Sequence, residues 1–283
     1  MSKSGLEILE IITLVIIAIF GISGNLLIIF LFAFGGSAVK VFRNYFIVSL
    51  TFADLMIAGI LVPFWTVGRM NFYSISENIW SIFAAYDILC GSASILNLTA
   101  ISLERLYAIR YPFLHLTLTQ FSYRLAIAVT WFIGFMLSGA KIIVAFGYKS
   151  RIKQFSLSVF ILAYMVPILV IAMSYSVIFY YATSRATDYC RANRFKRELK
   201  AVKTIAIIVG LFILCWTPFF VLNMIHDYCK NCDLRKNFIG WIYASKVLHY
   251  SNSMMNFFVY GYRSPDFRRL FRDLLIKKLK LNR

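Results

Sequence analysis

Charged residues are scarce in this 283-residue chain, and acidic residues are the scarcest of them. Only 15% of the residues are charged, whereas 60% are hydrophobic, and the mean hydropathy is +0.74. Soluble globular domains of this length do not have such a composition. The chain also lacks internal repeats, low-complexity tracts and linker-like segments, so we expect a single domain covering residues 1–283.

The residue groups that catalysis requires are missing as well. The chain has three histidines and five cysteines, and they do not form a metal-ligand pattern or a nucleophile beside its base. An enzyme is therefore not expected. A transporter or channel is disfavoured too, because the chain shows no two halves with matching Gly/Pro interruptions.

What the chain does have is long apolar runs. Seven of them are long enough to cross about 30 Å of hydrocarbon. They lie near residues 8–34, 45–66, 79–109, 123–146, 156–181, 202–225 and 238–262. This pattern predicts an all-α integral membrane protein built as a seven-transmembrane helix bundle. The first run is too long for a cleaved signal peptide, so we expect it to remain as an anchor.

The net charge of +18 comes from basic residues that border the apolar runs. They cluster in residues 185–203 and 263–283. A nucleic-acid partner is the alternative, but the positive-inside rule accounts for these positions better. It predicts a multi-pass plasma-membrane protein with an extracellular N-terminus, a cytoplasmic C-terminus and anionic lipid at the cytoplasmic face. Residues 264–279 begin with Ser-Pro-Asp and predict a short amphipathic interfacial helix.

The third apolar run contains charged residues at both of its ends. Asp87 and Arg105 are eighteen residues apart, which is five helical turns, so both project from one side of the helix about 27 Å apart. Ser94 lies close to the same line. Buried charges in a membrane are costly unless they line a cavity or meet a partner. The arrangement therefore suits a protein that passes a signal across a bilayer.

Two cysteines, Cys229 and Cys232, form a C-x-x-C pattern between the sixth and seventh runs. If this loop is extracellular, a disulfide bond within it is expected. A zinc site that includes His226 is a weaker interpretation, because it lacks a fourth ligand. A reduced pair is the remaining alternative.

Short motifs occur in all seven runs, in a fixed order. They are Gly24-Asn25, residues 50–54 (LTFAD), residues 104–106 (ERL), Trp131, Pro167 with Tyr175, residues 215–218 (CWTP) and residues 256–260 (NFFVY). In this order and spacing the chain resembles the rhodopsin-like (class A) G-protein-coupled receptors over essentially its whole length. Residues 200–220 and 263–268 most resemble beta-adrenergic and related amine receptors.

The resemblance implies a sodium pocket in the centre of the bundle. Its oxygen-bearing residues are Asp54, Ser94, Asn252, Ser253 and Asn256. Hydroxyl, amide and carboxylate oxygens suit a small hard cation such as Na⁺. The alternative is a network of buried water with no ion. The resemblance implies no other cofactor.

It also implies a switch for a heterotrimeric G protein. The residues assigned to this switch are Glu104, Arg105, Phe113, Tyr175, Glu198 and Tyr260. Glu104 and Glu198 would hold the Arg105 guanidinium in the resting state; the alternative is that Arg105 only extends to the interface. A packing relay of Ile95, Pro167 and Phe212, together with Trp216, is expected above the switch.

Finally, the resemblance implies a site for an extracellular small ligand. Its residues are Asp87, Ile88, Gly91, Trp216, Phe219, Phe220, Asn223, Lys246 and Tyr250. In amine receptors the equivalent of Asp87 pairs with a protonated amine, and the hydroxyl at the Tyr250 position bonds to the acid. The implied function is an amine-activated receptor.

Several departures from the amine-receptor pattern bear on the ligand. Val159, Phe160 and Ala163 stand where catecholamine receptors have serines, so a catecholamine is not expected. Lys246 lies one turn before Tyr250, where it can reach Asp87 and compete with an amine. A small-peptide or carboxylate ligand that uses Lys246 is therefore an alternative.

Three further positions bear on the class of receptor and on helix geometry. A retinal photoreceptor is a further alternative, because Lys246 in the seventh run and Asp87 in the third could form a Schiff base and its counter-ion. The opsin lysine, however, corresponds to Tyr250, one turn away from Lys246. Trp80 replaces the first cysteine of the usual outer disulfide, an absence shared with melanocortin receptors. Phe257 replaces the proline of the seventh-run motif, which predicts a straighter helix there.

Overall fold

The computed structural model describes residues 5–34, 44–70, 75–184, 189–229, 238–263, 268–269 and 271–272. All regular structure in these residues is helical. Seven long helices follow one another along the chain: α1 (Gly5–Phe34), α2 (Asn44–Met70), α3 (Glu77–Arg110), α4 (Gln120–Gly147), α5 (Ile152–Val159 continuing to Ser184), α6 (Tyr189–Tyr228) and α7 (Phe238–Arg263). A short helix, Pro112–His115, joins α3 to α4. The predicted seven-helix bundle is confirmed.

Two of the helices contain a wider, π-helical turn next to a proline. In α2 the π turn is Ile57–Leu61, which precedes Pro63. In α5 it is Phe160–Met165, which precedes Pro167. Proline has no N–H to bond to the carbonyl four residues earlier, and a π turn absorbs this misfit without breaking the helix.

Two predicted loops are shorter than the sequence suggested. Helix α6 begins at Tyr189, so most of the predicted inner loop, 182–203, is helical. The predicted outer loop, 147–155, shrinks to Tyr148 and the 3₁₀ turn Lys149–Arg151 before α5 starts. Hydropathy marks only the lipid-embedded part of a helix, whereas the hydrogen-bonded ladder continues into water.

By length and apolar composition, α1 to α6 qualify as membrane spans among the described residues. Helix α7 has the length but is more polar, because its buried face carries Lys246, His249 and Asn252. The predicted interfacial helix, 264–279, lies largely outside the described residues.

The outer surface of the bundle is apolar, and its interior holds polar side chains as well as apolar clusters. On α4, the large side chains of Phe132, Phe135 and Met136 are exposed, as expected for a surface that faces lipid. Helix α3 occupies the centre and packs against α2, α4, α5 and α6. Its Asp87 and Arg105 are both buried. The central helix therefore carries its polar residues where they meet other helices and not lipid.

Contacts at the outer end and in the middle of α1 hold it to its neighbours. At the outer end, defined as the end where α1 begins, Arg69 of α2 pairs with Glu10 (2.7 Å) and Glu7 (3.3 Å) of α1. The Arg69 guanidinium also lies 4.7 Å from the ring centroid of Tyr243 on α7. Deeper in the bundle, a Cβ atom on Gly24 would lie only 2.6 Å from Cγ of Phe257. Helix α7 is continuous through Phe257, and the straighter course expected from the replacement of proline stays a prediction.

Candidate functional site

A cavity of about 250 Å³ lies between the helices at the outer end of the bundle. Its walls are mainly aromatic: Phe64, Trp65, Trp80, Phe83, Phe155, Phe219 and Phe220. The charged residues that line it are Asp87, Lys141 and Lys246. A concave, mostly apolar site with a few polar groups is the usual form of a small-ligand site, and this volume suits a small ligand.

Asp87 is neutralised by a residue of the same chain. Lys246 on α7 donates a hydrogen bond from Nζ to Oδ2 of Asp87, and the two side chains form a buried ion pair. His249, one turn further along α7, has its Nδ1 3.4 Å from Lys246 Nζ and its Nε2 3.7 Å from Asp87 Oδ1. The lysine therefore occupies the position that the resemblance assigns to a ligand ammonium.

Aromatic rings surround the Lys246 ammonium. Nζ lies 3.6 Å from the ring centroid of Phe219, 5.0 Å from that of Tyr250 and 5.2 Å from that of Trp65. A cation gains several cation–π contacts in such a cage, and these add to the ion pair. The chain thus reproduces internally the arrangement by which an aromatic pocket binds an amine.

The expected hydrogen bond between Tyr250 and Asp87 is absent. The Tyr250 hydroxyl is buried beside the side chain of Trp65 and does not hydrogen-bond to Asp87, whose Oδ1 has no hydrogen-bond partner in the described structure. Tyr250 instead contributes its ring face to the lysine cage. The predicted hydrogen bond from Tyr250 to Asp87 was wrong, because the Lys246 ammonium is the group that contacts the Asp87 carboxylate.

The predicted ligand residues divide into two layers. Asp87, Ile88, Phe219, Phe220, Asn223 and Lys246 line the cavity. Gly91, Trp216 and Tyr250 do not line it. A Cβ on Gly91 would lie 2.2 Å from Cη2 of Trp216, so the indole packs directly against the α3 backbone. Such a close approach requires glycine at position 91.

Sequence reasoning missed several lining residues. Lys141 on α4 and Ser156 on α5 belong to no motif, yet both line the cavity. Of the three positions expected to lack a serine hydroxyl, only Val159 lines the cavity. Lys141 was detectable as an isolated lysine inside an otherwise apolar run, which is a signal for function in a membrane helix.

Trp80, which replaces the first cysteine of the outer disulfide that the resemblance implies, is part of an aromatic cluster. Its ring lies edge-on to Phe64 (4.9 Å between centroids) and to Trp65 (5.1 Å). Phe64 in turn stacks on Phe83 at 3.6 Å. These contacts join α2 to α3 at the outer end, so packing supplies a link between the two helices.

The predicted partner of Cys229, Cys232, lies outside the described residues, although Cys229 itself is disulfide-bonded.

Below the cavity is the central polar cluster. Asn256 donates a 2.6 Å hydrogen bond from Nδ2 to Oδ2 of Asp54, which is fully buried. Ser253 also interacts with the Asp54 carboxylate, and two further oxygens in this cluster, Ser94 Oγ and Asn252 Oδ1, are buried without a hydrogen-bond partner. Buried oxygens of this kind need a donor, a water molecule or a cation. The donor set is all oxygen, which fits a hard cation.

The predicted packing relay lies between this cluster and α5. Phe212 stacks on Trp216 with 4.8 Å between ring centroids. Ile95 and Phe212 belong to one buried apolar cluster, and Pro167 is buried beside it on α5. Tyr164, which sequence reasoning did not single out, hydrogen-bonds to Thr217 and packs its ring 4.4 Å from Phe220.

At the inner end, Glu104 is shared between two basic groups. Its Oε2 lies 2.9 Å from Nε of Arg105, and its Oε1 lies 2.7 Å from Nε2 of His115. Tyr123 donates a longer hydrogen bond (3.4 Å) to the same Oε1. The contribution of His115, from the short helix Pro112–His115, was not anticipated.

The other predicted switch residues are only partly described. The buried hydroxyl of Tyr175 interacts electrostatically with Arg105. Phe113 is 81% exposed on the short helix, as expected for an apolar side chain available to a partner. The side chains of Glu198 and Tyr260 lie outside the description, so the second carboxylate of the proposed lock stays a prediction.

The buried ion pair predicts a specific pattern of stability. Asp87→Asn or Lys246→Met alone should each destabilise the protein by about 3–5 kcal/mol, because the remaining charge is left buried and unpaired. The double variant should recover most of this loss. Thermal unfolding in detergent micelles measures the stability of each variant. Lys149→Met is the control, since the Lys149–Glu77 pair is exposed (3.6 Å). Additive losses in the double variant would contradict the pairing.

Comparison with known proteins places the chain in a family. Residues 24–260 match the family described as "7 transmembrane receptor (rhodopsin family)". Similar proteins include a D(1B) dopamine receptor of Xenopus laevis, 27% identical over 90% of this chain and 69% of the relative. A D(5)-like dopamine receptor of Takifugu rubripes is 28% identical over 82% of this chain and 59% of the relative.

A third relative is the 5-hydroxytryptamine receptor 4 of Cavia porcellus, 29% identical over 92% of this chain and 77% of its own length. The chain thus spans between 59% and 77% of the length of these relatives. The family match covers most of the chain, from Gly24 to Tyr260, and agrees with the order of the sequence motifs. This chain belongs to the rhodopsin family of seven-transmembrane receptors.

Proposed function

We propose that this receptor binds a small extracellular ligand in the cavity beside Asp87 and, in response, activates a heterotrimeric G protein at the inner end of the bundle. One observation carries the proposal. Helix α3 has Asp87 at the cavity and the Glu104–Arg105 ion pair at the opposite end, and it packs against four other helices between them. A displacement at one end of such a helix is transmitted to the other, because packed interiors do not deform freely.

An amine-like ligand is the first candidate. Asp87, Phe219 and Phe220 form a carboxylate site with aromatic walls, which is the chemistry that binds an ammonium. The relatives are named for dopamine and for 5-hydroxytryptamine, which are amines. A catecholamine remains disfavoured, because Val159 in the cavity wall offers no hydroxyl. Any amine must displace Lys246 from Asp87.

A carboxylate-bearing ligand is the second candidate. The notion that Lys246 itself binds such a ligand has less support, since this lysine is 2% exposed and already paired with Asp87. A second lysine in the cavity wall, Lys141, favours the same ligand chemistry.

The proposed orientation puts the cavity outside the cell and the Glu104–Arg105 pair inside. It rests on the basic clusters at residues 185–203 and 263–283, which the positive-inside rule assigns to the cytoplasm. The same residues are placed to attract anionic lipid of the plasma membrane. The exposed ring of Phe113 at that end supports its role as a contact for the G protein.

We further propose sodium as an allosteric ligand of the central cluster. Asp54 would supply the charge, and Ser94, Asn252, Ser253 and Asn256 would supply neutral oxygens. The support is an all-oxygen cluster around a single buried carboxylate, in which Ser94 Oγ and Asn252 Oδ1 have no hydrogen-bond partner. The chemistry that sodium would supply is charge neutralisation of Asp54.

The G-protein switch is tested by Arg105→Ala. Nucleotide exchange on added G protein should fall by more than about tenfold, since the guanidinium makes charge-assisted hydrogen bonds worth about 1.5–3 kcal/mol. Surface expression should be largely unchanged. Arg124→Ala, an exposed arginine of α4, is the control. Normal exchange by the Arg105 variant would rule out the proposed switch.

The amine site is tested by Lys246→Ala. Removing the lysine frees Asp87 and its aromatic cage, so simple aromatic amines should bind this variant at least about tenfold more tightly than wild type. They should also raise its unfolding temperature, because a bound cation re-pairs the buried acid. Lys149→Ala should behave as wild type. If amines bind both proteins equally, Lys246 does not occupy the ammonium position.

Sodium binding is tested by exchanging Na⁺ for K⁺ at constant ionic strength. The wild-type unfolding temperature should rise with Na⁺ concentration, because an ion that binds only the folded state stabilises it. Asp54→Asn should abolish the dependence and Ser94→Ala should weaken it. An Asp54→Asn variant that still responds to Na⁺ would place the ion elsewhere.

A further inference from the structure

The cavity wall contains a lysine for which the amine interpretation has no role. Lys141 lies on α4, ten residues after Trp131, and is half-buried at the cavity. The amine site consists of residues from α3, α6 and α7 and does not use α4. A lysine within an apolar span is costly, so its presence calls for a partner.

Lys141 supplies the charge that this cavity offers to a ligand. The other two charged lining residues, Asp87 and Lys246, cancel each other and are 8% and 2% exposed. Of the described lysines, Lys149 and Lys246 form ion pairs within 4 Å of a carboxylate, whereas Lys141 does not. The wall therefore presents one positive charge that is not neutralised at contact distance.

The acidic residue that influences Lys141 lies at the end of α6. Asp227 interacts with it electrostatically, and its own carboxylate lies 3.3 Å from Nδ1 of His226. Asn223, one turn before Asp227 on the same helix face, lines the cavity. Lys141 of α4 and Asn223 of α6 thus add polar groups to a cavity wall that is mainly aromatic.

We propose that the ligand carries a carboxylate group that binds the Lys141 ammonium, with an aromatic body packed against the rings of the cavity. This rests on the proposed function, in which the cavity is the ligand site. A single lysine with no arginine beside it suits a carboxylate; phosphate sites commonly add the bidentate contacts of arginine. A volume of about 250 Å³ restricts the ligand to roughly the size of an aromatic amino acid.

Four probes on one phenylpropanoid framework separate the acid from the amine. They are 3-phenylpropionate (acid alone), phenylalaninamide (amine alone), phenylalanine (both) and 3-phenylpropanamide (neither). Dissociation constants come from ligand-dependent thermal stabilisation of the purified receptor in detergent micelles. The acid effect is the ratio of dissociation constants between each acid and its amide.

In the wild type the two acids should bind about 10- to 100-fold more tightly than their amides, as expected for a charge-assisted hydrogen bond. Lys141→Gln should abolish this ratio. Lys141→Arg, which keeps the charge, should retain most of it. Lys153→Gln, an exposed lysine near the same end, should leave it unchanged.

Three results would overturn the inference: no acid effect in the wild type, binding of none of the probes at millimolar concentration, or an acid effect that survives Lys141→Gln. The proposed function is judged separately, by nucleotide exchange on G protein. An acid effect that depends on Lys141 but produces no exchange would contradict the receptor mechanism and leave the ligand chemistry standing.

Discussion

A carboxylate inside a membrane bundle needs a cation, and in this receptor the cation comes from the chain itself. Asp87 and Lys246 are 159 residues apart in sequence and form a buried ion pair between α3 and α7. The rings of Phe219, Tyr250 and Trp65 surround the ammonium. Much of the outer half of the bundle is organised around this contact, since the cage includes side chains from α2, α6 and α7. The pair also determines which charges remain available to a ligand.

Buried carboxylates are neutralised in different ways at three depths in the bundle. At the outer end a lysine neutralises the acid directly. In the centre, Asp54 receives a hydrogen bond from Asn256, and the buried oxygens of Ser94 and Asn252 have no hydrogen-bond partner, an arrangement that suits a small cation or water. At the inner end Glu104 contacts both Arg105 and His115. At each depth the acid contacts a residue from another helix, so these polar contacts help to hold the bundle together.

Much of the fold could be predicted from the sequence, because lipid imposes a simple rule on composition. Each of the seven apolar runs became a helix, and the errors were confined to helix ends such as Tyr189 and Ile152, where the chain continues as helix beyond the membrane. The contact between Lys246 and Asp87 could also be predicted, since Lys246 lies one turn before Tyr250 on the same face of α7. Lys141 and His115 were not foreseen, because neither belongs to a motif and each is brought to its site by helix packing.

The helical bundle and the residues that must face its interior could be inferred from residue order alone, because exposing polar groups to lipid is costly. Which of these groups contact one another depends on how the helices pack. Helix packing pairs Asp87 with Lys246, so the hydroxyl of Tyr250 does not hydrogen-bond to Asp87. It also brought Lys141 to the cavity wall. These outcomes depend on the rotation and tilt of each helix against its neighbours, which arise from packing across the whole bundle and not from any one segment.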